Sequence, residues 1–600
     1  MSSTPAPPTS KPLPQKLGDF SADRRTLVLA IMAVVIGCGG AVSAWLLLRL
    51  IALVTNLVWF GRWSAANASL AGAHPSPWMV LAPALGGLAI GLMARFGSEK
   101  IRGHGIPEAI EAILIGGSRM SPKVAVLKPL SSAISIGSGG PFGAEGPIIM
   151  TGGAIGSLFA QLFRLTAAER KALLVAGAAA GMTAIFGTPV AAVLLAVELL
   201  LFEWKPRSFI PVVVATVVSA AWRPWLFGTG PLFAFSGGPE LSWWVLLLCV
   251  GAGLVAGIQS SLATTLLYRL EDFFEHLPVH WMWWPALGGL VVGVGGLVEP
   301  RALGVGYDVI RDLLAGGLSS QDATRMLVVK AVIWTVALAS GTSGGVLAPL
   351  LILGGALGFL EGQVLPGGPG FWALVGMAAM MGGTMRAPLT GALFAVELTG
   401  DVAALLPLLA ATGAAYGLTV LVLKRSILTE KIARRGHHVS REYAVDPLQQ
   451  AWVSEIMVTS VDTLPASMPV EEAVRFFADG QDLRHKSYPV VDGEGRVAGM
   501  VGRSDVLRWM KERGHGRQTL QDLVSRRPLV SGRPEELVWA LVDRMVAEDV
   551  GRVPILTDDG KLAGLVSRKD LLRVRARLRG LEQERKSPIR DSEIAEPAAP

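Results

Sequence analysis

Residues 26–60 include one charged side chain, Arg49. About 20 apolar residues carry a helix across the hydrocarbon core of a bilayer, so lipid is the natural solvent of this run. Residues 78–94, 241–267 and 402–423 repeat the pattern. Lipid offers the backbone no hydrogen bonds, and each run must therefore close its own as a helix. The whole chain agrees: 51% of its 600 residues are hydrophobic and 17% charged, which excludes one water-filled globule. Both cysteines, Cys38 and Cys249, lie in apolar runs and read as small buried hydrophobes, with no disulfide or metal role. Arg24 and Arg25 precede the first run. The positive-inside rule then expects a cytoplasmic N-terminus, and a twin-arginine export signal is the weaker reading. The net charge of +7 is loop bias, and no basic stripe with interleaved aromatics points to nucleic acid.

Residues 131–163 and 336–365 are apolar too, but Gly and Pro interrupt them. Such backbone survives at membrane depth only where protein or a water-lined cavity satisfies its freed groups. The two stretches are copies. SGGPFGAEGPIIMTGGAIG (138–156) matches SGTSGGVLAPLLILGGALG (340–358), pairing Ser138 with Ser340, Gly143 with Gly345, Pro147 with Pro349 and Gly152 with Gly354. TPVAAVLLAVEL (188–199) matches APLTGALFAVEL (387–398), and GHG at Gly103 matches GVG at Gly304. Interrupted segments paired across two halves mark the binding site of a repeat-built transporter; the plainer alternative is a pair of duplicated structural helices.

Charge returns after residue 423, and from residue 449 short strands alternate with amphipathic helices. This soluble part is also duplicated. YPVVDGEGRVAGMVGRSDVL (488–507) aligns with VPILTDDGKLAGLVSRKDLL (553–572), and each copy reads helix, strand, turn, strand, helix. The expected organisation is a cytoplasmic tail over 1–25, a membrane domain over 26–436, a soluble pair over 449–580 and a disordered tail over 581–600.

Between Lys128 and Arg164 the only charged residue is Glu145, in GAEGP. A lone carboxylate within a membrane span is costly and points to function. Gly143, Gly146 and Pro147 around it suggest a loop feeding a helix start. Helix N-termini present unpaired N–H groups and the positive end of the dipole, which suit an anion. The Glu145 carboxylate can fill that place itself, so a permeating anion must displace it and a proton can relieve it. The alternative is a carboxylate that only caps its helix. In the second half Leu347 occupies the equivalent position in GGVLAP, keeping the helix start without a competing charge.

GHGIPE (103–108), GAEGP (143–147) and GGVLAP (344–349) resemble the three signature segments of the CLC chloride channel and transporter family, and the C-terminal repeat is similar to a tandem CBS-type pair. The resemblance implies an all-α membrane domain of two inverted repeats followed by an α/β pair. It implies a homodimer with one path per subunit, embedded in the lipid of a bacterial inner or plasma membrane with both termini cytoplasmic. The central site it implies is built from Gly103, His104, Gly105, Ile106, Pro107, Gly143, Glu145, Gly146, Pro147, Val346, Leu347 and the position of Leu428, with Glu145 as gate. The cargo is chloride or a similar small anion, with protons if transport is coupled.

This chain departs from the family pattern at several of these positions. His104 stands where a serine is usual, and Leu428 where a tyrosine is. An imidazole can donate to an anion; equally, it can bond a backbone carbonyl and face away. Coordination then falls on N–H groups near Glu145, Val346 and Leu347, and a fluoride- or nitrate-preferring relative stays open. Proton-coupled members usually carry a glutamate after the residue that matches Glu198, where this chain has Leu199. Glu203, four residues on, would share its helical face and act as inner proton acceptor; otherwise it is a solvated carboxylate at a helix end. Passive channel and proton-coupled antiporter both stay open. In the soluble pair, Ser567 and Asp570 match the residues that hold an adenine nucleotide's ribose, whereas the first copy keeps Asp505 with Gly502 at the hydroxyl position. The nucleotide is expected on the Asp570 side, the alternative being aspartates that only cap helices. No other cofactor is implied. HExxH and GxxxxGK[ST] are absent, so a transporter is expected rather than an enzyme.

Overall fold

The computed structural model describes residues 24–72, 75–437, 439, 448, 451–479, 485–512, 518–524 and 528–574. Residues 1–23 and 581–600, where tails are expected, lie outside them. The chain divides into two compact units, one over Gly18–Glu442 and one taking in Tyr443–Pro600.

In the first unit the described residues include six helices long and apolar enough to span a bilayer: Arg24–Phe60, Pro77–Phe96, Pro206–Leu226, Trp243–Glu275, Trp281–Val298 and Val402–Arg434. Of the four apolar runs read from sequence, three fall within these and 241–267 begins two residues before its helix. Ile31, Leu46, Leu85 and Leu262 are exposed on them, as side chains facing lipid should be. The interrupted segments behave differently. Glu145–Gln161 and Leu347–Glu361 are helices whose first residues, Glu145 and Leu347, are both fully buried. Each packs against a neighbour through glycine: a Cβ on Gly152 would strike the Gly177 carbonyl, and one on Gly354 the Gly376 carbonyl. Small residues let backbones meet where lipid provides no hydrophobic drive between helices. The repeat read from sequence is thus also a repeat of close approaches.

In the second unit Leu464–Pro465 runs parallel to Ser487–Val491, which pairs antiparallel with Val497–Gly502. Arg552–Leu556 pairs antiparallel with Leu562–Ser567. Pro489 faces Met500 and Pro554 faces Leu565, and both hairpins shift register at the same repeat position, Val490/Val491 and Ile555/Leu556. Helices Val470–Asp479, Arg503–Lys511 and Val538–Ala547 cover the strands, and a further helix starts at Arg568. Val490, Val501 and Trp509 form one core and Leu541, Val553 and Ile555 another. Each copy has the expected order of elements.

Candidate anion site

Three loops that precede helix starts are bound to one another. Gly143 N–H donates to the Gly345 carbonyl at 3.2 Å, and Gly345 N–H returns the bond to Gly143 at 2.8 Å. Gly103 N–H donates to Thr342 at 3.2 Å and Gly344 N–H to Gly103 at 3.4 Å. The N–H groups of Gly103 and Gly143 are therefore committed to holding the loops together. Gly105, at φ 89°, caps the helix Ile106–Leu114, which has Pro107 in its first turn. A Cβ there would sit 3.0 Å from the Gly146 carbonyl, so glycine lets the first loop close on the second.

Lys128 and Lys330 hold this arrangement, and the sequence reading missed both. The step that pairs Ser138 with Ser340 also pairs these lysines, each fully buried. Lys128 Nζ donates to the carbonyls of Ile101 (2.8 Å) and Gly103 (2.7 Å) and to Ser343 Oγ (3.0 Å). Lys330 Nζ donates to Ala302 (2.9 Å) and Gly304 (3.1 Å). Their recurrence at matching repeat positions was the available signal. AVEL carries a second symmetric device. Glu198 accepts from Thr390 N–H at 3.0 Å and from its hydroxyl at 2.6 Å, while Glu397 accepts from Val190 (3.0 Å) and Ala191 (2.8 Å). Each glutamate caps the opposite repeat's helix, the matching structural role that their symmetry suggests.

Glu145 is fully buried, and neither of its carboxylate oxygens completes a hydrogen bond. The backbone N–H groups of Glu145 and Ala348 lie beside it. A Cβ on Gly345 would lie 2.6 Å from Oε2, so the carboxylate rests against the start of the Leu347–Glu361 helix. Ala348, in that first turn, is a donor position that the sequence did not single out. The carboxylate occupies a place suited to an anion, with Lys330 as the cation in electrostatic reach.

His104 is 2% exposed and its Nδ1 has no hydrogen-bond partner, so the carbonyl bond of the alternative reading is absent at that atom. Glu108, Lys128, Lys431 and Arg435 surround the imidazole. Glu108 is itself paired with Lys431 at 3.4 Å and Arg435 at 3.0 Å, tying the last helix of the membrane unit to the first signature segment. Leu428 is fully buried in the helix Ile427–Arg434. Tyr268 supplies a hydroxyl nearby, but donates it to the Ile427 carbonyl at 2.5 Å.

Leu199 is also fully buried, within a π-helical turn over Ala196–Leu201. Phe202, at φ 52°, turns the chain out of the helix. Glu203 is therefore not on the same helical face as Leu199, contrary to the sequence reading, which carried α-helical spacing through a segment that stops being helical. Nor is it simply solvated. It accepts from Ser208 Oγ at 2.7 Å and pairs with Lys171 (3.5 Å) and Lys205 (3.6 Å). Burial pushes this carboxyl up, but Ser208, Lys171, Lys205 and Arg207 outweigh it and hold it below its ordinary range.

In the soluble unit Asp505 lines a cavity of about 220 Å³ with Arg508, Trp509 and Arg552. Ser567 Oγ and N–H both donate to Asp570, at 2.6 and 2.9 Å, and Asp505 accepts from Gly502 N–H at 3.1 Å. Both aspartates cap helices, and the cavity lies at Asp505, whereas the sequence favoured the Asp570 side.

The family profile described as voltage gated chloride channel matches residues 85–420, and the CBS domain profile matches 453–512 and 520–577. The chain is 31% identical over 387 residues to the voltage-gated ClC-type chloride channel ClcB of Salmonella typhimurium, covering 62% of this chain and 88% of that one. It is 31% identical over 340 residues to the H(+)/Cl(-) exchange transporter ClcA of Salmonella arizonae, covering 53% and 70%. Among solved structures, a slow cyanobacterial Cl−/H+ antiporter superposes with a TM-score of 0.59 at 21% identity, over 69% of this chain and 99% of that one.

Proposed function

Because the chain belongs to the voltage-gated chloride channel family and carries two CBS domains, we propose that it moves chloride or a similar small anion across a membrane, with Glu145 as gate. The observation that supports this most is the Glu145 carboxylate: buried, unpartnered and set against a helix start whose N–H groups suit an anion. A permeating anion takes its place, and protonation weakens its hold.

Passive conduction is the reading we favour. Leu199 puts an apolar side chain where exchangers of the family usually have an inner glutamate, and Glu203 is engaged by a hydroxyl and two lysines. Coupled exchange is the second reading, supported by the likeness to a relative named as an exchanger. The reversal potential in a chloride gradient, with and without a pH gradient, separates them: dependence on chloride alone means a channel, and a shift with pH means exchange. Glu145→Gln should retain anion flux, lose its pH dependence and move no protons. Retained proton transport would remove Glu145 from the gate.

The unit is a homodimer with one path per subunit, in a bacterial inner membrane with both termini cytoplasmic. The CBS pair regulates the path by binding an adenine nucleotide at the Asp505 cavity, where Trp509 offers a ring for the base and Arg508 and Arg552 offer charge for phosphate.

A further inference from the structure

Tyr307 opens the helix Tyr307–Ala315 behind Gly306, at φ 78°. By the match of GHG to GVG it is the second-half counterpart of Ile106, so one half places a hydroxyl where the other has a hydrocarbon. Its ring is fixed edge-on by Phe233 at 5.6 Å and Phe186 at 6.5 Å. With Gly304, Asp308 and Arg311 it also lines a cavity of about 310 Å³. Its hydroxyl, however, is closed to solvent and has no hydrogen-bond partner. A buried hydroxyl without a partner carries an uncompensated desolvation cost. The titratable group that acts on it electrostatically is Glu145, whose carboxylate oxygens likewise complete no hydrogen bond. The groups acting on Glu145 are the N–H of Glu145 and of Ala348 and the Lys330 ammonium, and Glu145 in turn acts on Tyr307. Lys330 commits its hydrogen bonds to Ala302 and Gly304 and faces Asp308 as well. Tyr307 is thus the side chain among these with a donor to spare.

We propose that Tyr307 is a positioning residue for the gate: its hydroxyl receives the ionised Glu145 carboxylate when an anion displaces it from the start of the Leu347–Glu361 helix. This rests on the reading of Glu145 as gate. The displaced carboxylate then has a donor outside the anion place, and the path opens without a proton. Without the hydroxyl, ionised Glu145 has only the anion place to occupy, so opening requires protonation. The chemistry is the gain of one hydrogen bond, with no covalent bond made or broken.

The test is chloride efflux from liposomes holding the full chain, across the pH range in which wild-type flux changes. Tyr307→Phe keeps the ring contacts. Its flux should match wild type at the acid end and fall about tenfold at the alkaline end, the worth of one hydrogen bond to a charged group. Full acid-end flux shows that the variant is folded. The double variant with Glu145→Gln should behave as Glu145→Gln alone. Equal acid-to-alkaline flux ratios in Tyr307→Phe and wild type would overturn the proposal, as would a loss of the same size in the Glu145→Gln background. If Glu145→Gln alone kept the wild-type pH dependence, the gate reading itself would fail, a result distinct from either.

Discussion

Glu145 and Glu203 are both carboxylates in a membrane protein, and their surroundings give them opposite tasks. Glu145 has no hydrogen-bond partner and rests on a helix start, so little beyond electrostatic attraction holds it. Glu203 is held by Ser208, Lys171 and Lys205. Its carboxyl lies below the ordinary range in the folded state, so its stabilising effect is complete above the unfolded value and is lost as pH falls through the folded one. Glu203→Gln should therefore lower stability by about 1 kcal/mol near neutral pH. That difference should shrink as pH drops below about 4. Thermal melts of both proteins at a series of pH values in one detergent check this. A difference that stayed constant with pH would mean that Glu203 acts through packing and not through charge.

At the scale of elements, the site depends on loops joined by few bonds, and Lys128 is central to them. One ammonium satisfies two carbonyls and the Ser343 hydroxyl, and Ser343 also meets Ser131 at 3.1 Å and Ser132 at 2.9 Å. Lys128→Met fits the space but leaves each of those acceptors one donor short, at a cost of about 2–4 kcal/mol. We expect a markedly lower melting temperature together with weaker chloride binding, because the Gly103 loop loses its anchor. Calorimetry of both properties on one preparation checks this, and unchanged binding would separate the loop from the site. Lys330→Met removes the corresponding contacts to Ala302 and Gly304 and should cost less, since it loses one hydrogen bond fewer.

At the scale of the molecule, the two units pose separate questions, and the soluble one can be tested by binding. Asp505 lines a cavity beside Trp509, Arg508 and Arg552, whereas Asp570 accepts both hydrogen bonds of Ser567. Titrating the purified full chain with ATP, ADP and AMP should show Asp505→Ala weakening the tightest of them about tenfold or more, with Asp570→Ala affecting it less. The reverse order would return the nucleotide to the Ser567 side, and no heat with any of the three would leave a structural module.

Pattern suffices for what depends on solvent and on copying. Apolar runs of spanning length can only be helices in lipid, and duplicated Gly/Pro-broken segments expose both the two halves and the carboxylate between them, so the membrane architecture, the CBS pair and Glu145 were legible before any coordinates. Contacts between distant residues were not. Nothing local says that Lys128 reaches Ser343, that Tyr307 lies in electrostatic reach of Glu145, or that Glu198 and Glu397 cap each other's halves; each pairing joins positions far apart in the chain and exists only once the halves interlock. Glu203 shows the same limit nearer at hand. Helical spacing put it beside Leu199, but a π-turn and a left-handed Phe202 intervene, and periodicity cannot register the point at which a helix ceases to be one.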